Sequence, residues 1–284
     1  MFKKYLLLVA LALLPSVLLA QQTFVHPWQG AWVAFFGDSI TDSRVVPGTS
    51  REIPRDHDWT GIQDNHYWGY LQEWLGIHPL VYGVNGRQWD NIPEQAKNLN
   101  AEHGDNFDAI TIFIGTNDYN AGIPLGEWYD KTTEKVIAAR GHEPAEIMMV
   151  KRSPSMDGNT LRGRINIAIS TLKQLFPEKQ IVILTPVHRA YAKFGEKNIQ
   201  PAECYPNRLG LYISDYVEAI KETANVWSIP VIDLNALCGL NPMIEEHVQY
   251  FANPETDRLH PSAKGHERIA KTLMYQLLTL PCRL

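Results

Sequence analysis

Residues 31–41 read AWVAFFGDSIT, an apolar run followed by a Gly-Asp-Ser turn, and this stretch decides the fold. Residues 33–36 form the kind of short apolar run that fills a strand buried on both faces, and Gly37 ends it. In open α/β sheets, ligands bind beyond the carboxyl ends of the strands, where the loops converge. Ser39 therefore becomes a candidate nucleophile. That interpretation requires a base, a group that orients the base, and donors for an oxyanion elsewhere in the chain.

Composition indicates an ordinary globular protein. The chain has 284 residues, of which 45% are hydrophobic and 20% are charged. No composition shift or internal repeat divides it, so we expect a single domain over residues 21–284. The formal net charge of −5 is distributed without a basic run and gives no indication of nucleic-acid binding.

Residues 1–20 are of a different kind. Lys3 and Lys4 precede an apolar run that ends at Ala20, the pattern of a secretory signal peptide. We therefore expect a periplasmic or secreted protein with no stable membrane insertion after cleavage. An uncleaved anchor is the alternative, although the apolar run is short for a membrane span.

The three cysteines follow the signal segment, at positions 204, 238 and 282. Their spacing fits no zinc site. An oxidising compartment permits a disulfide, and Cys204 with Cys238 is the favoured pair, with no disulfide as an equal alternative.

The rest of the chain alternates short apolar runs with segments of helical periodicity. This pattern predicts a parallel sheet covered by helices on both faces. Strands are predicted at residues 33–36, 79–83, 107–114, 180–185 and 230–234, and helices at 66–76, 92–99, 159–176, 209–226 and 262–280. Residues 121–155 are the least regular, with one helix expected around 128–139 and a strand around 147–150. Residues 187–208 read as a long polar loop, and Asp257 and His260 are expected in the loop before the last helix.

Four polar blocks stand at predicted strand ends or helix starts. They read FGDSIT at Ser39, GVNGRQ at Gly86, IGTND at Asn117 and DRLHP at His260. In type and in order they resemble the motifs of the SGNH/GDSL hydrolases, a family of serine esterases and lipases. The second block is looser, because asparagine precedes Gly86 where a small residue is common. The resemblance implies a flavodoxin-like, three-layer α/β/α fold with a five-stranded parallel sheet and no cofactor.

The resemblance also implies roles for individual residues. Ser39 matches the nucleophile, His260 the general base and Asp257 the carboxylate that orients the imidazole. The backbone N–H groups of Ser39 and Gly86 and the side-chain amide of Asn117 match the donors of the oxyanion hole.

Each of these residues also has a purely structural interpretation. Ser39 is a residue type that caps helices, and Asn117 suits a turn. Asp38 is more typical of a structural carboxylate. Asp257 and His260 are also metal-ligand types, although the sequence places no further ligands near them and we expect no metal.

The substrate is inferred from the walls that the loops would build. Asp38, Trp89, Tyr119 and His188 are candidate substrate contacts. Charged residues of the loop after Asp42 add polar groups, which suit a sugar better than a long acyl chain. The sequence therefore predicts a carbohydrate esterase that removes short acyl groups, acetyl above all, from a small-molecule or polysaccharide ester. The alternatives are a lipase, lysophospholipase or thioesterase with the same machinery, a non-catalytic glycan-binding protein, and a metal-dependent deacetylase. The sequence does not determine the oligomeric state.

Overall fold

The structure is a computed structural model that describes residues 26–45, 65–141 and 143–283. The predicted signal peptide at residues 1–20 lies outside the described residues. So do most of the charged loop residues that favoured a sugar substrate, namely Arg51, Glu52, Arg55, Asp56, His57 and Asp58.

A parallel sheet of five strands forms the centre of the domain, as predicted. The strands are β1 (Trp32–Gly37), β2 (His78–Val81), β3 (Ala109–Phe113), β6 (Gln180–Leu184) and β9 (Val231–Ile232). They lie in the order β2-β1-β3-β6-β9, and all four neighbouring pairs are parallel. The apolar run after Ala31 forms the second strand of this order.

Helices cover both faces of this sheet because successive side chains of a buried strand point to opposite faces. Val33 and Phe35 pack in one apolar core, and Ala34 and Phe36 pack in the other. The first core includes α1 (Tyr67–Leu75) and α7 (Ala263–Leu277). The second includes α2 (Ile92–His103), α4 (Leu161–Leu175) and α5 (Ile213–Trp227). Two short helices, α3 (Thr116–Ala121) and α6 (Leu234–Leu237), follow strand ends. The three-layer α/β/α prediction is confirmed.

The helix predicted around residues 128–139 is wrong. This segment is the strand β4 (Tyr129–Ala138), which pairs antiparallel with β5 (Ala145–Pro154) in a long hairpin. The β-branched residues at 132, 133, 136 and 137 favour a strand, and the pairing partner satisfies its backbone. The strand predicted around residues 147–150 is confirmed as part of β5.

A second sheet contains four short strands, β7 (Ala192–Gly195), β8 (Asn198–Gln200), β10 (Phe251–Asn253) and β11 (Asp257–Pro261). Their order is β10-β11-β7-β8, and β11 brings this sheet to the carboxyl end of β1. Two predictions are corrected here. Residues 187–208 are not all loop, and Asp257 and His260 lie on a strand rather than in a loop. Strands of three to five residues carry too little periodicity to be detected in the sequence.

The three cysteines are free thiols. Cys204 is exposed, whereas Cys238 and Cys282 are buried, and the structure contains no Cys204–Cys238 disulfide.

Within the described ranges, no helix combines the length and the apolar character needed to cross a membrane.

Candidate active site

Ser39 lies in the tight turn that follows β1. The turn leaves no room for a side chain at Gly37, because a Cβ atom there would lie 2.6 Å from the carbonyl oxygen of Phe113. The side chain of Gln95 on α2 holds the same glycine from the other side. Its Oε1 accepts from the Gly37 N–H at 3.0 Å, and its Nε2 donates to the Gly37 carbonyl at 2.9 Å. Both partners are buried, so this pair of hydrogen bonds fixes the end of β1.

Asp257 and His260 are brought together by β11. The Nδ1 atom of His260 lies 2.9 Å from Oδ2 of Asp257, and Oδ1 accepts the backbone N–H groups of Leu259 and His260 at 3.1 and 3.0 Å. Burial by itself raises the pKa of Asp257, but these hydrogen bonds and the nearby imidazole outweigh it, so the pKa lies below its ordinary value. An ionised Asp257 fixes the tautomer in which Nδ1 carries the proton.

The free face of this imidazole meets Ser39. His260 Nε2 lies 2.8 Å from Ser39 Oγ, within hydrogen-bond distance. The ring of Phe194 on β7 packs edge-on against His260, with ring centroids 5.3 Å apart. Ser39, His260 and Asp257 thus form one hydrogen-bonded series in which the imidazole is oriented to take the hydroxyl proton.

Gly86 and Asn117 line the same cavity as Ser39. Gly86 has a φ of +76°, which favours glycine. The Nδ2 atom of Asn117 donates to the Arg87 carbonyl at 3.0 Å, which holds the amide in place. Within the described part of the chain, the N–H groups of Ser39 and Gly86 form no backbone hydrogen bond, so both remain available as donors.

A cavity of about 260 Å³ opens over Ser39 and His260. Four of its eight other lining residues carry carboxamide side chains, and two of these, Asn198 and Gln200, come from β8, which sequence reasoning missed. The sequence signal for this hairpin is the alternation of apolar and polar residues on either side of Gly195, in the segment AKFGEKNIQ at residues 192–200. The lining residues are Ser39, Val45, Asn85, Gly86, Asn117, Phe194, Asn198, Gln200, Leu259 and His260.

The predicted substrate contacts lie away from this cavity. Trp89 is fully buried in the second apolar core, and Tyr119 is nearly so, with its hydroxyl donating to the Tyr205 carbonyl at 2.8 Å. His188 is part-buried and pairs with Glu203 at 2.6 Å. Large aromatic side chains beside a site pack into the core when the sheet offers apolar surface, and this explains the error for Trp89 and Tyr119.

Asp38 is also buried beneath the turn instead of facing the cavity. Its Oδ1 accepts the N–H of Ile40 at 3.1 Å, and burial raises its pKa to about 6. The structure therefore agrees with the structural interpretation of this carboxylate.

A second buried carboxylate, Asp118, ties the Asn117 turn to its surroundings. It accepts the backbone N–H of Trp89 at 3.1 Å and a guanidinium N–H of Arg164 at 3.2 Å. Burial raises its pKa to about 7, although Arg164 opposes this shift. Asp118 thus connects the segment after Gly86 with α3 and α4.

Arg189 is a buried cation that supports the cavity wall. Its guanidinium donates to Gln200 Oε1 at 3.0 Å and makes a short hydrogen bond to Asn120 Oδ1, while burial lowers its pKa to about 10. Asn120 also donates to Gln200 Oε1 at 2.8 Å. The Gln200 side chain is therefore held in a fixed orientation toward the cavity, a role that the sequence did not indicate.

Within residues 26–45, 65–141 and 143–283, no three His, Cys, Asp or Glu side chains are grouped closely enough to hold a metal ion. Asp257 and His260 instead hydrogen-bond to each other, and His260 hydrogen-bonds to Ser39.

The fold defines a three-layer α/β/α domain, and Ser39, His260 and Asp257 form a hydrogen-bonded series beside its central sheet. The sequence profile of the GDSL-like Lipase/Acylhydrolase family matches residues 35–268, and the chain belongs to this family. The resemblance inferred from the four motif blocks is thereby confirmed. No curated protein matches the chain.

Solved structures share the fold. A protein from Lactobacillus plantarum is 23% identical with a TM-score of 0.62, over 88% of this chain and 98% of that one. A possible lipase from Chitinophaga pinensis is 23% identical with a TM-score of 0.58, over the same shares of the two chains, 88% and 98%. Axe2, an acetylxylan esterase from Geobacillus stearothermophilus, is 18% identical with a TM-score of 0.50, over 90% of this chain and 98% of that one. At these identities the similarity establishes the fold alone.

Proposed function

We propose that this protein is a secreted or periplasmic carbohydrate esterase that removes short acyl groups, acetyl above all, through an acyl-enzyme on Ser39. The observation that carries the proposal is the hydrogen-bonded series from Ser39 through His260 to Asp257 at the floor of a polar cavity.

The reaction follows from these contacts. His260 Nε2 takes the proton of Ser39 as Oγ attacks the ester carbonyl, and Asp257 stabilises the imidazolium that forms. The backbone N–H groups of Ser39 and Gly86 and the amide of Asn117 donate to the developing oxyanion. The tetrahedral adduct then breaks its bond to the sugar oxygen, which takes the proton from His260 and leaves as a hydroxyl group, with the acyl group on Ser39. A water molecule, activated by the same imidazole, hydrolyses the acyl-serine and regenerates the enzyme.

The lining of the cavity supports a short acyl group on a sugar. A long acyl chain requires an apolar tunnel, whereas four carboxamide side chains line this cavity, namely Asn85, Asn117, Asn198 and Gln200. Such side chains hydrogen-bond to hydroxyl groups as donors and as acceptors. Axe2 is described as an acetylxylan esterase, so a chain with this fold is able to deacetylate a glycan.

Acyl-chain preference tests the substrate class. We expect p-nitrophenyl acetate to be hydrolysed with a higher kcat/KM than the octanoate, and we expect acetate release from acetylated polysaccharides. A preference for acyl chains beyond about eight carbons would instead support a lipase or lysophospholipase, and a preference for acyl thioesters over the matching oxygen esters would support a thioesterase.

Ser39→Ala tests the covalent step. We expect loss of turnover and of labelling by a fluorophosphonate, with circular dichroism unchanged. Glycan binding without labelling of the wild-type protein would support a non-catalytic binding protein. Inhibition by chelators would support the metal-dependent alternative.

N-terminal sequencing tests the secretion proposal. The exported protein should begin at Gln21.

A further inference from the structure

The hairpin β4–β5 projects from the domain as a ribbon. Its ten residue pairs run in continuous register from Tyr129 opposite Pro154 to Ala138 opposite Ala145. Sixteen of its twenty residues are exposed, including Ile137 at 75%, Val150 at 64% and Met148 at 62%. In the described part of the chain, no third strand joins this sheet.

The base of the ribbon is fixed. Asn166 on α4 is buried, and its Nδ2 donates to the carbonyl oxygens of Trp128 and Ser155, each at 2.9 Å. Its Oδ1 accepts from the indole of Trp227 at 2.8 Å. One side chain thus holds both ends of the hairpin, and the ribbon leaves the domain in a defined direction.

The two edges of this ribbon differ in composition. The middle of β4 is polar and charged, with Lys131 and Lys135 as the kind of residues that block edge-to-edge pairing. The middle of β5 is the run Ile-Met-Met-Val at residues 147–150, which has apolar side chains on both faces. An isolated two-stranded ribbon is marginally stable in water, and an exposed, apolar edge strand is a template for pairing with another strand.

We propose that the β5 edge pairs antiparallel with the β5 edge of a second copy of this chain, so that two hairpins form one four-stranded sheet across a two-fold axis. Isologous pairing of this kind requires that the strand be complementary to itself.

The charges on β5 select one register. When the two-fold axis passes through Met149, Glu146 lies directly opposite Arg152 of the partner subunit, and Met148 lies opposite the partner's Val150. Opposite charges and apolar pairs facing each other across strands stabilise a sheet. An axis through Met148 would instead place Glu146 opposite the partner's Val150. An axis through Val150 would place Arg152 opposite the partner's Met148. Of these three registers, only the one through Met149 places Glu146 and Arg152 opposite each other. On the second face it pairs Met149 with itself and sets Ile147 opposite the partner's Lys151, whose aliphatic stem can cover the apolar side chain.

The oligomeric state and two charge reversals test this interface. We expect the full mature protein to sediment as a dimer. Glu146→Arg and Arg152→Glu should each weaken dimerisation at least about tenfold, because each places like charges opposite one another. The double variant restores the pair with its signs exchanged and should dimerise again.

Glu134→Arg is the matched control. Glu134 on β4 pairs with Lys151 at 3.4 Å, much as Glu146 pairs with Lys135 at 2.9 Å, so both reversals break one ion pair within the hairpin. Only Glu146 lies on the proposed edge, and Glu134→Arg should remain dimeric. A monomeric wild-type protein at about 100 µM, or a dimer that neither reversal at Glu146 or Arg152 weakens, would overturn the proposal. Binding of the monomer to phosphatidylcholine vesicles would instead assign the ribbon to a membrane surface.

A cross-link gives an independent measurement that does not depend on charge. At Met149 the two chains would face each other on the axis at a Cα separation of about 5 Å, which a disulfide spans. In a Cys204→Ser background, which removes the exposed thiol, Met149→Cys should form a disulfide-linked dimer on oxidation. Glu134→Cys lies opposite Met149 within the hairpin but on the other edge, and it should not. Equal cross-linking of both variants, or none of Met149→Cys, would contradict the register.

Discussion

Ser39 Oγ and His260 Nε2 lie 2.8 Å apart although 221 residues separate them in the chain. The first residue follows β1 of the central sheet, and the second lies on β11 of the smaller sheet. Their contact therefore depends on how the two sheets are placed relative to each other. The contact is also the step on which the proposed chemistry rests, so the predictions below address the groups that hold it in place.

Asp257→Asn should lower kcat by about 10³ to 10⁴ with little change in KM. The amide keeps an oxygen for the backbone N–H groups of Leu259 and His260 but no longer holds a charge beside the imidazolium. Steady-state kinetics on p-nitrophenyl acetate measures the change. A loss smaller than tenfold would show that catalysis does not use this carboxylate.

Asn117→Ala should lower kcat by about 10² to 10³, because it removes one donor to the oxyanion. Asn198→Ala is the control, since Asn198 lines the same cavity on the β8 side. It should mainly raise KM for a sugar ester. Equal effects of the two variants on kcat would remove Asn117 from the proposed oxyanion hole.

Gln95→Leu should destabilise the protein, because it leaves the buried N–H of Gly37 without its partner. It also removes one of the two donors to the Gly37 carbonyl, the other being the Val84 N–H at 3.1 Å. A buried N–H left unpaired costs about 1 to 3 kcal/mol. Thermal and urea denaturation measure the loss, and kcat should fall as well because the Ser39 turn loosens. Asn100→Leu, an exposed change on the same helix, is the control and should have little effect on either quantity.

Arg164→Met should destabilise the protein more at high pH than at low pH. The pKa of Asp118 in the folded protein, about 7, lies above its ordinary value of 3.8, so the folded state binds more protons between these values and stability falls as pH rises through this window. Arg164 lowers that pKa, so its removal extends the window above pH 7. For each pKa unit by which the pKa of Asp118 rises, the free energy of unfolding at high pH falls by about 1.4 kcal/mol.

Urea denaturation between pH 5 and pH 9 measures this dependence. Arg162→Met on the same helix is the control, because it separates Arg162 from the half-exposed Glu222 and should give a difference that is constant with pH. A constant difference for Arg164→Met as well would show that Asp118 is not the titrating group.

Local sequence predicted much of the central sheet. The runs that form β1, β3 and β6 are apolar because both faces of these strands are buried, and a burial requirement of this kind is visible in a few consecutive residues. The motif blocks also singled out Ser39, Gly86 and Asn117, because turns at strand ends require particular residues, whereas His260 was expected in a loop and lies on β11.

Other features depended on partners distant in the sequence. Residues 128–139 form a strand only because β5 is there to pair with it. Gln95 belongs to the site because α2 packs beside the end of β1, and Asn198 and Gln200 do because β8 joins a sheet with β11. Trp89 and Tyr119 adjoin site residues in sequence, yet they lie in the core.

The sequence by itself thus determined the family, the parallel sheet and the residue types that the chemistry requires. Only the tertiary structure decided which neighbours of those residues face the cavity and which atoms hold them there. The physical reason is that strand burial and turn conformation are local properties of the chain, whereas hydrogen bonds and packing between elements are set by the assembled fold.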